Sequence, residues 1–174
     1  MKLFGLLTTL LLAAQLAPAN PDDFTVPSIT SSNVFKLSEA KGKFVALHFL
    51  LKTECPYCLR YTQEYAKKAA GEAQVVHIFL KPDSDAEIKQ WAVKLGAEAT
   101  TLAIYHDADA ALAKSFNIPD GYKFHGQTVH FPALVLLGKD GKEVFRYVSK
   151  SNADRFPVEK FADKLKELTR PTRG

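Results

Sequence analysis

One stretch dominates the apolar pattern of the chain's interior: Phe44-Val45-Ala46-Leu47-His48-Phe49-Leu50-Leu51, interrupted only by His48. A short run without polar alternation suits a strand covered on both faces, as in a parallel sheet flanked by helices. A helix follows from Pro56 and ends near Gly71; proline at the first helical position lacks an N–H that would be unpaired there anyway. Gln74 to Leu80, with Val75, Val76, Ile78 and Phe79, reads as a second buried strand stopped by Lys81-Pro82-Asp83. Ser84 then caps a helix carrying Ile88, Trp91, Ala92 and Leu95 at helical spacing, and Gly96 terminates it. Thr101 to Tyr105 is a short strand. A further helix begins at Asp107 or Asp109 and runs through Phe116, closing in the loop Asn117-Ile118-Pro119-Asp120-Gly121. Strands alternating with helices of this length imply a βαβ layout.

Both ends differ from this middle. Phe24 to Ser38 is polar with isolated apolar positions, a hairpin-like lead-in that Lys41-Gly42-Lys43 turns into the first central strand. Near the C-terminus, Ala133 to Leu137, the turn Gly138-Lys139-Asp140-Gly141 and Glu143 to Val148 predict an antiparallel hairpin. A closing helix runs from about Pro157 to Leu168 on the stripe Phe161, Leu165 and Leu168. The expected class is α/β, a central mixed sheet flanked by helices.

Composition narrows this to one domain. A chain of 174 residues, 47% hydrophobic and 24% charged, has room for one core. The net charge of +4 comes from scattered lysines rather than a block, which describes solvated faces and not a nucleic-acid surface. Residues 1–19 stand apart: Lys2 precedes an apolar core from Leu3 to Leu12, and Ala17-Pro18-Ala19 offers small residues before Asn20. This pattern is expected of a cleaved secretory signal, leaving a domain of residues 20–174 that is periplasmic or secreted. No stop-transfer extension argues for an uncleaved anchor, and no cysteine near the cut allows a lipoprotein.

The chemistry resides in Cys55-Pro56-Tyr57-Cys58, whose cysteines are the only two in the sequence. A strand that delivers C-x-x-C to a helix start places the first sulfur among unpaired N–H groups and the positive end of the helix dipole, which favour a thiolate. Other uses of the pair fare worse. A structural disulfide over so small a loop stabilises little. A zinc site lacks a second C-x-x-C, and His48, His77, His106, His125 and His130 lack ligand spacing. A copper carrier using the thiolate pair with His125 or His130 is a non-enzymatic alternative; haem attachment fails because Leu59 follows Cys58.

The C-x-x-C between strand and helix, the proline opening the penultimate strand in Phe131-Pro132-Ala133-Leu134, and the terminal hairpin plus helix together resemble the thioredoxin-like superfamily. The lead-in Asp23-Phe24-Thr25-Val26-Pro27, with Phe35 to Lys43, is similar to the extension of its redoxin branch, which holds peroxiredoxins and periplasmic thiol–disulfide oxidoreductases. The resemblance implies a redox enzyme without metal, flavin or nucleotide, acting on protein or small-molecule disulfides with a thiol protein as electron partner. Cys55 is then the nucleophile and Cys58 the resolving thiol. Pro56, Tyr57, Phe131 and Pro132 line the substrate groove, with Pro132 in a cis bond.

The resemblance also admits an antioxidant peroxidase. In that frame Cys58 is the peroxidatic cysteine and Cys55 stands where a threonine usually binds peroxide. The arginine expected near Pro132 is missing, since Arg146 and Arg155 lie further on. Without those donors the O–O bond is not polarised, so the exchange reading is preferred. Glu54 and Lys52 push the Cys55 pKa in opposite directions. The thioredoxin-type buried carboxylate is absent from Leu47-His48-Phe49. His48 relays a proton to Cys58 only if it faces the site, and packing is the preferred reading. Trp91 reads as core.

Overall fold

The structure is a computed structural model that describes residues 23–52, 54–69, 72–96, 102–124 and 127–170. The expected leader, the helix end at Gly71, the strand start at Thr101, and His125 lie outside the described residues.

The apolar run forms β3 (Phe44–Phe49), every residue of which is buried. It occupies the middle of a five-stranded sheet. On one side β4 (Val75–Lys81) pairs with it in parallel, and β5 (Ile104–His106) continues the parallel half. On the other side β8 (Ala133–Leu137) and β9 (Glu143–Val148) form the antiparallel hairpin, with Ala133 opposite Phe49. A mixed sheet with helices on its faces is the architecture read from the sequence.

Alternation along β3 divides the core into two layers, because successive side chains leave opposite faces of a strand. Phe44 and Ala46 join one cluster with Tyr61 and Tyr65 of α1 (Pro56–Ala69), Ile88 and Trp91 of α2 (Asp85–Val93), and Phe161 and Leu165 of α4 (Phe161–Thr169). Val45, Leu47 and Phe49 join the other with Leu112 and Ala113 of α3 (Ala111–Ser115) and the lead-in hairpin. That hairpin, β1 (Thr25–Pro27) on β2 (Val34–Lys36), buries Val26 and Phe35 against this face.

Several expectations change. The helix expected from Asp107 or Asp109 is broken, because Asp109 and Ala110 take positive φ of 54° and 52°. Only α3 is helical, and Asp107 serves it by accepting the N–H groups of Leu112 and Ala113 at 2.7 and 3.0 Å. Asp120 and Gly121, expected in a loop, instead open β6 (Asp120–Phe124), which pairs antiparallel with β7 (Gln127–His130). The alternation of Tyr122, Phe124 and Val129 with polar residues around His125-Gly126 was the signal for it. The Phe131–Pro132 bond is trans, as are all peptide bonds of the described residues, against the expected cis-proline. Both flanks are tied to neighbouring backbone: the Phe131 N–H donates to Pro119 O at 3.0 Å, and Pro132 O accepts from Ser149 N–H at 2.9 Å.

Candidate functional site

The C-terminal end of β3 delivers the chain to the start of α1, and the two sulfurs meet different surroundings there. Cys55 is half-buried, whereas Cys58, inside the first turn of the helix, is 0% exposed. Both are free thiols. The Leu51 N–H, at the strand's end, donates to Cys58 Sγ at 3.2 Å, so the sulfur is held back against the sheet.

A cation also reaches the pair. Arg155, in the loop between β9 and α4, places Nη2 3.0 Å from Cys58 Sγ and 3.5 Å from Cys55 Sγ. Its Nη1 donates to the Asn152 and Asp154 carbonyls at 3.0 and 2.6 Å, which fixes the guanidinium. Asp154 in turn accepts from the Tyr147 hydroxyl at 2.7 Å and the Lys150 N–H at 2.8 Å, tying the loop to β9. The expectation that no arginine stands at the site is therefore corrected. Arg155 comes from a segment with no motif signal, and only the path of the loop brings it in.

These surroundings split the two acidities. Cys55 is lowered from 9.0 to about 6, chiefly by the hydrogen bond from the Cys58 thiol; the Cys58 and Tyr57 N–H groups and the Arg155 charge add to this, and partial burial opposes it. Burial pushes the Cys58 thiol well above its ordinary value, and its hydrogen bond to Cys55 adds to that, while Arg155 and Lys81 work against it. The pair thus shares one proton, which Cys58 keeps and directs at the Cys55 thiolate.

Lys81 is the second cation the sequence did not point to, because Lys81-Pro82-Asp83 reads as a strand stop. It ends β4 with a fully buried side chain, Nζ donating to Leu51 O at 2.6 Å, 3.4 Å from Asp83 Oδ2 and 4.3 Å from the centre of the Trp91 ring. Leu51 therefore touches Cys58 through its N–H and Lys81 through its carbonyl.

Of the expected groove residues, Pro56 and Tyr57 are exposed beside Cys55, and the Arg60 guanidinium lies 5.9 Å from the Tyr57 ring. Pro132 is buried and Phe131 half-buried. Strand register puts them beside the C-terminal end of β3, since Ala133 faces Phe49. His48 is 0% exposed and does pack, but both its ring nitrogens have polar partners, Tyr61 Oη at 3.2 Å and His77 Nδ1 at 3.0 Å. His130 is buried, its Nδ1 2.7 Å from the Phe131 carbonyl. Among the described residues no group of three or more His, Cys, Asp or Glu side chains is arranged to hold a metal.

The Redoxin family model matches residues 15–165. No curated protein matches the chain in sequence. Among solved structures, a peroxiredoxin-like protein from Aquifex aeolicus superposes with a TM-score of 0.70 at 14% identity, covering 84% of this chain and 83% of that one. A secreted disulfide oxidoreductase from Mycobacterium tuberculosis, homologous to Escherichia coli DsbE, gives 0.61 at 18% identity over 83% of this chain and 96% of that one. The exposed lipoprotein thioredoxin of Streptococcus pneumoniae gives 0.60 at 23% identity over 84% and 99%. At these identities the superpositions speak for the shared architecture, and the family match over most of the sequence adds the lineage: the chain belongs to the redoxin family and has its thioredoxin-like fold.

Proposed function

We propose that this protein is an exported thiol–disulfide oxidoreductase in which Cys55 attacks and Cys58 resolves. The observation that carries the reading is the asymmetry of the pair: a half-buried thiol lowered to about 6 beside a fully buried one raised well above its usual value. Only the first is both ionised near neutrality and within reach of a substrate. The Cys55 thiolate attacks a substrate disulfide R–S–S–R′, forming Cys55–S–S–R and releasing R′–S⁻, which takes a proton from water. Cys58 then loses its proton and attacks the Cys55 sulfur, R–S⁻ leaves, and the enzyme holds the Cys55–Cys58 disulfide. Two electrons have passed to the substrate, and a dithiol partner restores them by the reverse steps. Tyr57 and Pro56 at the rim, and Phe131 and Pro132 beside the end of β3, are the proposed contacts for the substrate chain. The leader-like segment 1–19 supports export, and an oxidising compartment would leave the redox state of the pair to its partners.

In an insulin-reduction assay, Cys55→Ser is expected to abolish turnover. Cys58→Ser is expected to accumulate a mixed disulfide with the substrate, detected by mass. Loss of activity in Cys58→Ser, with peroxide consumption persisting in Cys55→Ser, would assign the attack to Cys58 and overturn the reading.

Arg155 favours a second reading, since it supplies the donor whose supposed absence counted against a peroxidase. Here Cys58, deprotonated beside Arg155, would attack R–O–O–H to give Cys58–S–OH and R–O⁻, and the Cys55 thiolate would displace hydroxide to form the disulfide. Hydrogen peroxide consumption by the wild type that is lost in Arg155→Gln distinguishes this activity from exchange alone.

A further inference from the structure

A cleft of about 310 Å³ opens beyond the C-terminal ends of the three parallel strands, the region where open α/β sheets take their ligands. Lys52 follows β3, Pro82 to Ser84 follow β4, and Asp109 and Ala110 follow β5, while Glu87 of α2, Lys114 of α3 and the β6–β7 pair close the sides. Two of its walls run into the proposed active site. The Lys52 carbonyl accepts the Cys55 N–H at 3.0 Å, and His130 immediately precedes Phe131 and Pro132.

The floor of the cleft is buried and its rim is charged. Val129 and His130 are buried, and the His130 Nδ1 donates to the Phe131 carbonyl at 2.7 Å. Burial keeps that ring below its ordinary range, so near neutral pH its Nε2 is an acceptor. Not every charge around the opening is available to a ligand. Lys81 Nζ stands 3.4 Å from the Asp83 carboxylate, and Glu87 Oε2 accepts from the Ser84 N–H and hydroxyl at 3.0 and 2.6 Å. Two ammonium groups, Lys52 and Lys114, and two carboxylates, Asp109 and Asp120, complete the rim. Lys114 commits one proton to the Asp109 carbonyl at 2.9 Å and keeps two for other acceptors. The segment that carries Asp109 is held in left-handed conformation at two consecutive non-glycine residues, Asp109 at φ 54° and Ala110 at φ 52°. Such backbone is costly and concentrates where chains clamp ligands.

We propose that this cleft is a substrate subsite for small peptidic disulfides, binding the free amino and carboxylate groups that such molecules carry close to the reacting sulfur. The proposal rests on the exchange reading above and names its substrate class. A zwitterion matches a rim with two charges of each sign, whereas a simple anion or cation is repelled by half of it. The volume stands at the lower end of the roughly 300–1,000 Å³ of ligand pockets, which suits two or three amino acids. Ligand carboxylates face Lys52 and Lys114, the ammonium faces Asp109 and Asp120, and His130 accepts a peptide N–H. The half of the disulfide R–S–S–R held in this way becomes bonded to Cys55 as Cys55–S–S–R, and the other half leaves as R–S⁻ with the electron pair and takes a proton from water. Cys58 then attacks the Cys55 sulfur and releases the held half as a second R–S⁻. A disulfide inside a protein chain offers neutral peptide bonds in place of the free termini.

The test compares glutathione disulfide, which carries those charged groups, with hydroxyethyl disulfide, which carries none. Lys114→Gln and Asp120→Asn each remove one exposed rim charge, on α3 and on β6. Each is expected to lower kcat/KM for glutathione disulfide, relative to that for hydroxyethyl disulfide, about threefold and chiefly through KM, and the double variant about tenfold, as for exposed ion pairs. A ratio equal to wild type in the double variant would overturn the subsite, and so would an equal fall in insulin reduction. A second measurement needs no turnover. S-methylglutathione, which has no thiol to exchange, should at millimolar concentration shift the backbone amide signals of Lys52, Ala110, Lys114 and Val129 in the reduced wild type, and no shift at these residues would overturn it. Those shifts without reduction of either disulfide would instead remove the exchange reading and leave the cleft a binding site alone.

Discussion

Cys55 and Cys58 are the same residue three positions apart, yet they end with acidities on opposite sides of an ordinary thiol. Helix-start N–H groups account for part of the Cys55 shift, and the Cys58 hydrogen bond and the Arg155 charge for the rest. Arg155→Gln removes the charge and leaves the helix, so the midpoint of iodoacetamide reaction at Cys55 should rise from about 6 part of the way toward 9.0. The same variant tests linkage. A thiol whose folded pKa is depressed stabilises the reduced fold above that pKa and loses the contribution as pH falls through it. Urea unfolding of the reduced wild type should therefore show Cys55 adding stability from about pH 6 up to its unfolded value near 9.0, over a narrower window in Arg155→Gln. The pair and its helix start were legible locally, because strand, proline and cysteine spacing are sequence neighbours. Arg155 was not, since its contact to Cys58 spans 97 positions.

Among elements, the loop from Ser149 to Pro157 has the largest consequence for the site. Asp154 anchors it by accepting the Tyr147 hydroxyl and the Lys150 N–H, and Arg155 hangs from that anchor. Asp154→Ala frees the loop without removing the guanidinium. The Cys55 midpoint should then rise less than in Arg155→Gln, with far-UV circular dichroism unchanged. A midpoint equal to wild type would mean that Arg155 is held by Asn152 and its own backbone alone. α3 carries a different lesson. Asp107 and Asp109 both signal a helix start; Asp107 caps α3, but from a distance of four residues, with Asp109 and Ala110 in left-handed conformation between. Composition permits a helix at Ala108-Asp109-Ala110, so propensity alone misplaced its start; the Asp107 N–H bond to Lys81 O at 2.9 Å shows where the sheet overrode it. At α2 local chemistry sufficed: the Ser84 N–H donates to the Glu87 carboxylate at 3.0 Å, and Gly96 takes the left-handed stop at φ 80°.

Across the whole molecule, the site lies where the ends of β3 and β4, the start of α1 and the loop after β9 converge. Lys81 marks that convergence, with a charge buried among Leu51, Asp83 and Trp91. Breaking such an arrangement by removing one partner costs about 3–5 kcal/mol, because the group left behind stays desolvated. Lys81→Met should therefore lower unfolding stability in urea by about that amount, despite a side chain of similar length. It should also raise the Cys58 thiol further, since Lys81 is one of the charges that oppose its rise. A loss of less than about 1 kcal/mol would place the pair with exposed ion pairs, against its complete burial.

By itself the sequence determined what short-range periodicity and spacing can carry: the buried central strand, the alternation of strands and helices, the terminal hairpin, the family resemblance and the reactive cysteine pair. Tertiary structure alone decided how far the two acidities part, because that depends on burial and on charges brought from β4 and from the loop after β9. It also turned His48 from a lone polar residue in an apolar run into the middle of a hydrogen-bonded triplet with Tyr61 and His77. Each of these contacts joins residues that a strand or helix period cannot relate, and in a dry interior their energies depend on distances of a few ångströms that only the folded chain sets.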